Sequence, residues 1–178
     1  MNYNEIINKY YAEVPELRHI LIIHSHGVMQ KALRIARKHP ELRADLKFLE
    51  EAAMLHDIGI IKTDAKGISC FGKEPYIRHG ILGAEMLRAE GFERHARVCE
   101  RHTGTGLTAT EIIEQKLPLP PRDFLPESIE EQIICYADKF FSKTRPKEEK
   151  TCEAARKSIA KFGEATLQRF LDMEKRFE

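Results

Sequence analysis

Residues 51–59 read Glu51-Ala52-Ala53-Met54-Leu55-His56-Asp57-Ile58-Gly59, and the meaning of this stretch decides the fold. An apolar helical turn runs straight into an imidazole and a carboxylate, then returns to apolar residues. A carboxylate placed in such a run is costly unless something compensates its charge. A salt bridge is the ordinary compensation; a divalent cation is the functional one. On a helix the two side chains fan only about 100° apart, so His56 and Asp57 can turn toward one ion.

The segments on either side are helical as well. Leu46, Leu49, Ala52 and Ala53 form the apolar face of a helix expected from about Ala44 to Leu55. Before it, Val28, Ala32, Ile35 and Ala36 predict a helix from about Ile20 to Lys38, ended by Pro40. His24 lies four residues before Val28 and eleven before Ile35, so it shares their inward face. His26, about 200° round the helix, faces away. His19 and His39 flank the helix ends beside charged residues and read as surface. A short helix over Tyr3 to Tyr11 opens the chain.

After Gly59 the pattern loosens as far as Arg78, with Gly67, Gly72 and Pro75 marking a loop. Helices are expected at about His79–Ala89, Glu93–His102 and Ala109–Lys116. Pro118, Pro120, Pro121 and Pro126 make residues 117–126 an extended connector. A strongly apolar helix follows over Ile129 to Phe141. There Asp138 repeats the anomaly of Asp57, sharing a face with Ile134, Ala137 and Phe141. His79 faces inward if Gly83, four residues on, does; His102 shares a face with Val98 and Cys99. His95, between Arg94 and Arg97 near a helix start, reads as surface. Arg145-Pro146-Lys147 is a charged joint before a C-terminal helical segment broken at Gly163. Alternating strand patterns are absent, which predicts an all-α fold. One domain over residues 1–178 is expected, with a core at about 20–143 and a helical extension at about 147–178.

Composition excludes several classes. The chain has 42% hydrophobic and 32% charged residues, and a net charge of +1 gives no electrostatic ground for nucleic acid or an anionic membrane as partner. No run approaches the roughly 18 apolar residues of a membrane span. The N-terminal residues lack a basic stretch followed by a long apolar run, and Cys70, Cys99, Cys135 and Cys152 form no C-x-x-C pair. Free thiols in a reducing, cytoplasmic setting are the expectation.

His24, then His56-Asp57, then Asp138 resembles the H…HD…D signature of the HD superfamily of metal-dependent phosphohydrolases. Leu55-His-Asp-Ile-Gly59 is similar to its "HDIG" motif and Tyr136-Ala-Asp-Lys139 to its last motif. The likeness implies an all-α bundle with a metal held by His24, His56, Asp57 and Asp138. His79 and His102 match histidines that binuclear members add, including the bacterial symmetrical dinucleoside-tetraphosphate hydrolases. They imply a second ion, with Asp57 bridging. Imidazole and carboxylate donors suit Fe, Mn, Ni, Co or Zn better than Ca. The chain departs from the H-D-x-x-K arrangement of many members, because its lysine falls later, at Lys62. Lys62 is carried as a catalytic and phosphate-binding candidate with His56 and Asp57. Arg78, Arg101 and Lys139 join it as phosphate contacts by adjacency. Thr103-Gly-Thr-Gly106 reads first as a helix stop and second as an anion cradle. The expected substrate is a small phosphorylated molecule of nucleotide type, walled by residues 62–76 and 117–126. The rival readings are a mononuclear 5'-nucleotidase or cyclic-nucleotide hydrolase and a non-catalytic scaffold or sensor. Ile159, Phe162, Phe170 and Met173 either pack back on the bundle or join two copies in a homodimer.

Overall fold

In the computed structural model, which describes all 178 residues, a 24-residue helix α2 (Pro15–Lys38) forms one side of the bundle. It follows the short α1 (Tyr3–Tyr11), whose cap is the Asn2 side chain accepting from Asn4. α2 starts at Pro15 rather than near Ile20, because proline at the first helical position has no N–H to lose and its φ suits a helix. Leu17, Leu21, His24, Val28, Ala32 and Ile35 form its buried stripe. α3 (Leu46–Leu55) begins where Asp45 accepts a hydrogen bond from the Phe48 N–H at 3.0 Å.

The chain leaves α3 through His56 and Asp57 into a 3₁₀ turn, Ile58–Lys62. Three very short strands follow: β1 (Thr63–Ala65), β2 (Cys70–Phe71) and β3 (Glu74–Pro75). β1 is central, antiparallel to β2 and parallel to β3, with Asp64 opposite Phe71 and Thr63 opposite Glu74. This small sheet was not expected. Strands of two or three residues are too short for alternation to register in a sequence.

α4 (His79–Ala89) and α5 (Glu93–Arg101) pack against each other across a short turn at Gly91 (φ 82°). α6 (Ala109–Glu114) and α7 (Ile129–Asp138) each begin in a capping box, Thr108 with Glu111 and Ser128 with Glu131. α7 lies at the centre of the bundle, with Ile133, Ile134, Cys135, Tyr136 and Ala137 fully buried. α8 (Cys152–Ala160) and α9 (Glu164–Phe177) form a hairpin that turns through Gly163 at φ 107°.

The hairpin packs on the bundle: the rings of Phe170 and Phe177 lie 5.2 and 5.6 Å from that of Tyr136. Burying Phe170 contributes on the order of 2–3 kcal/mol. Ile159 and Met173 are buried with it, whereas Phe162 at the turn remains exposed. The result is a mostly helical bundle with four free cysteines. No helix is long and apolar enough to cross a membrane.

One close approach determines where α4 sits. A Cβ on Gly59 would lie 2.2 Å from the His79 carbonyl oxygen and 2.3 Å from the Gly83 nitrogen. Two glycines thus let the 3₁₀ turn after Asp57 lie directly against the first turns of α4, which carry His79.

Candidate metal centre

Five helices bring their polar residues to one place. His24 comes from the middle of α2, His56 and Asp57 from the end of α3, and His79 from the first position of α4. His102 follows α5 and Asp138 is the last residue of α7. Four of the five contributions sit at helix ends, where the chain can leave the helix and aim a side chain inward. None of the six residues is more than 9% exposed.

The six residues form two groups that share Asp57. In the first, His24 Nε2 lies 3.1 Å from Asp57 Oδ2 and 3.0 Å from Asp138 Oδ1. His56 Nε2 lies 3.2 and 3.4 Å from the same two oxygens. In the second, Asp57 Oδ1 lies 3.5 Å from His79 Nε2 and 3.4 Å from His102 Nε2, which are 3.1 Å apart. Asp57 therefore presents one oxygen to each group.

Backbone carbonyls assign the tautomers. The Nδ1 atoms of His56, His79 and His102 each lie 2.7 Å from the carbonyl three residues earlier, on Ala53, Tyr76 and Cys99. A carbonyl can only accept, so each Nδ1 carries a proton and donates it. In the neutral ring Nε2 is then a bare lone pair. Two such lone pairs facing each other at 3.1 Å, with a carboxylate oxygen beside them, are repulsive unless a cation lies among them. His24 Nε2, His56 Nε2 and Asp57 Oδ1 are buried without a hydrogen-bond partner. An octahedral ion with bonds of about 2.1 Å holds neighbouring donors about 3 Å apart, which matches these separations. The donor set fits one divalent ion in each group, and the carbonyl-anchored Nδ1 atoms are the usual outer support of such ligands.

Electrostatics separates the groups further. Burial lowers the His79 pKa to about 3, with His102 and Lys143 reinforcing it and Asp57 opposing, and burial lowers His102 too. Both shifts favour the neutral ring at pH 7. Burial also acts to lower His56, but the carboxylates of Asp57 and Asp138 outweigh it and bring the pKa up to about 9. Asp57 and Asp138 stay ionised: burial opposes this, but Lys143 and His56 outweigh it for Asp57 and Lys139 and His24 for Asp138. An ion entering the first group must therefore displace a proton from His56, whereas His79 and His102 have none to lose. At pH 7 the first ion is expected to release about one proton and the second almost none. First-site affinity accordingly rises with pH up to about 9, the folded pKa of His56. Calorimetric titration in buffers of differing ionisation enthalpy measures this; equal proton release at both sites would contradict it.

A cavity of about 470 Å³ opens onto the groups, with His79, His102 and Asp138 in its wall. Of the four expected phosphate contacts, only Lys139 lines it. Lys139 Nζ donates to Asp138 Oδ2 at 2.6 Å and to the His102 carbonyl at 3.0 Å. Lys62 ends the 3₁₀ turn exposed and away from the cavity lining. Arg78 is engaged by Glu74 at 2.9 Å and the Pro118 carbonyl at 3.0 Å. Arg101 is buried on Glu127 at 2.5 Å and the Leu125 carbonyl at 2.7 Å. In their place stand Lys143 and Lys150, which sequence reading passed over. Lys143 Nζ lies 2.6 Å from Asp57 Oδ2. Both follow α7, one on either side of the charged Arg145-Pro146-Lys147 joint, and nothing local signals that this segment turns back into the site.

The expected walls change as well. Tyr76 and Leu117 line the cavity, but most of the two loops does not; the α8–α9 hairpin supplies Ser158, Ile159, Phe162 and Thr166 instead. Gly104 and Gly106 adopt positive φ, end α5 and border the cavity. His26 and His19 are exposed and His39 pairs with Glu41 at 3.0 Å. His95 corrects the surface reading. It is 8% exposed, packs between the rings of Phe48 and Phe92, and sits 3.3 Å from Glu51. A long-range apolar pocket overrode its charged sequence neighbours.

Comparison with known proteins adds a family match. The family model described as "HD domain" matches residues 21–142. The tRNA (cytidine(56)-2'-O)-methyltransferase of Thermoplasma volcanium is 37% identical over 123 residues, 68% of this chain and 32% of that protein. The protein of the same description from Picrophilus torridus is 39% identical over 127 residues, 71% of this chain and 33% of that one. An uncharacterized protein of Methanocaldococcus jannaschii is 39% identical over 114 residues, 64% of this chain and 60% of that one. The chain thus spans about a third of the two methyltransferases. No solved structure matches it.

Proposed function

The chain belongs to the HD-domain family, and on that premise we propose that it is a two-metal phosphohydrolase acting on a nucleotide-like phosphoester or phosphoanhydride. The observation that carries the proposal is the division of Asp57, one oxygen toward His24 and His56 and the other toward His79 and His102. His24, His56, Asp57 and Asp138 would hold one divalent ion, and His79, His102 and Asp57 the other. When bound, such ions lower the pKa of water to near neutrality and neutralise charge developing at phosphorus. The carbonyl-anchored rings keep the donor atoms preorganised, so no reorganisation is needed as the reaction proceeds. Lys139, Lys143 and Lys150 supply cations for the phosphate oxygens at the cavity wall. Leu107, Leu117, Ile159 and Phe162 offer apolar surface for the remainder of the substrate, a composition suited to a base and sugar. The methyl transfer named for two relatives is not part of this reading, since the matched segment is a minor share of each and the donor clusters suit hydrolysis.

Metal content of the purified chain tests the proposal, together with assays of nucleotides, dinucleoside polyphosphates and simple phosphoesters in Mn and Fe. Two transition-metal equivalents with turnover support it. One equivalent favours a mononuclear nucleotidase, and a chain that takes up neither Mn nor Fe is a scaffold or sensor. Helix geometry adds a sharper expectation. His24→Ala is expected to lose at least about a hundredfold in kcat/KM, while the exposed His26→Ala retains most of it; equal losses would show that the assigned face of α2 is wrong.

A further inference from the structure

Lys143 stands five residues beyond Asp138, in the turn after α7. Its side chain is only 14% exposed, and its ammonium lies 2.6 Å from Asp57 Oδ2. That is the same oxygen that faces His24 Nε2 at 3.1 Å and His56 Nε2 at 3.2 Å. Lys143 also lines two hollows: the cavity containing His79, His102 and Asp138, and an open pocket bordered by Lys66, Gly67 and Ser142. The Tyr76 ring, 5.9 Å from Nζ, belongs to both walls.

The contrast with Lys139 defines the problem. Asp138 gives Oδ2 to Lys139 and Oδ1 to the imidazoles, so lysine and ion use different oxygens. Asp57 has no such division on this side. Its Oδ1 serves the second group, and Oδ2 alone must satisfy both Lys143 and the first group. An ammonium and a divalent ion on one oxygen repel each other strongly in a buried setting. Lysine's four-carbon stem lets its head group move into the adjoining cavity, where an anion would receive it.

Building on the phosphohydrolase reading, we propose that Lys143 couples ion loading to phosphate binding. Its ammonium contends with the first ion for Asp57 Oδ2, and a phosphoryl group in the cavity draws it away. Each ligand then favours the other, and linkage requires the enhancement to be equal in both directions. Lys143 thereby acts on the ion through Asp57 and on the substrate by direct contact.

Calorimetric titration of the full chain with Mn²⁺, with and without methylphosphonate as a phosphoryl group that cannot be hydrolysed, tests this. In the wild type, methylphosphonate is expected to raise first-ion affinity about tenfold. Lys143→Met should bind that ion about tenfold more tightly than wild type when methylphosphonate is absent, because the contending cation is gone. It should bind methylphosphonate about ten- to a hundredfold more weakly, the loss of one charged hydrogen bond, and show no mutual enhancement. Lys143→Arg retains the enhancement and serves if Lys143→Met fails to fold. Weaker ion binding by Lys143→Met, or an enhancement that survives in it, would overturn the coupling. Mn²⁺ and methylphosphonate binding independently to the wild type would overturn it also while leaving the phosphohydrolase reading intact; no Mn²⁺ uptake at all would remove that reading first.

Discussion

Asp57→Asn is expected to abolish the binding of both ions and to lower phosphohydrolase activity at least about a thousandfold. The substitution conserves shape and changes only charge and donor number. Asparagine offers one neutral oxygen where the carboxylate offers two charged ones, so neither group retains its shared ligand. A second consequence follows from Lys143, whose ammonium loses its 2.6 Å partner in a site where Asp57 is fully buried. Breaking a buried pair on one side costs about 3–5 kcal/mol, which appears as a fall in Tm. Asp138→Asn is the internal comparison, because it removes a ligand from the first group only. Elemental analysis should find about one ion per chain in Asp138→Asn and almost none in Asp57→Asn. Equal contents in the two variants would mean that Asp57 does not join the groups.

The second large effect is expected at a residue with no side chain. Gly59→Ala places a methyl group within 2.3 Å of two α4 backbone atoms, the His79 oxygen and the Gly83 nitrogen. Backbone in a packed helix cannot rotate aside as a flexible side chain would, so the 3₁₀ turn and α4 must move apart. Overpacking costs about 1–3 kcal/mol, and a backbone clash belongs at the upper end or beyond. For a chain of this size, about 3 kcal/mol lowers Tm by on the order of 10 °C. The displacement carries His79 away from Asp57, so the second ion is expected to be lost before the first. Gly67→Ala is the control, since a Cβ there meets nothing within 4 Å. A Gly59→Ala protein that melts within a degree of wild type would refute this account of the contact.

Both predictions concern residues two apart in the stretch with which the sequence is best read. His56 and Asp57 were legible because a charge inside an apolar run is an anomaly any reader can locate. His24 and Asp138 were legible because helical phase places them on buried stripes with Val28 and Ala137. The helices at His79–Ala89 and Tyr3–Tyr11 fall where periodicity put them. Cations were the failure. Arg78 and Arg101 neighbour ligands in the sequence, yet each side chain is spent on a carboxylate and a carbonyl outside the metal groups. Lys143 neighbours no ligand, yet touches the central one.

What the sequence determined by itself, then, is the helical class and the positions of the buried donors, because both follow from residues within a few turns of one another. The family match over residues 21–142 agrees with that reading. Only the tertiary structure decided which oxygen of Asp57 faces which imidazoles, that a hairpin beyond residue 150 walls the cavity, and which lysines reach it. The physical reason is one of range. Periodicity and cost of burial act locally along a helix, whereas a flexible cation finds its partner through space, wherever the chain's turns happen to bring a carboxylate within reach.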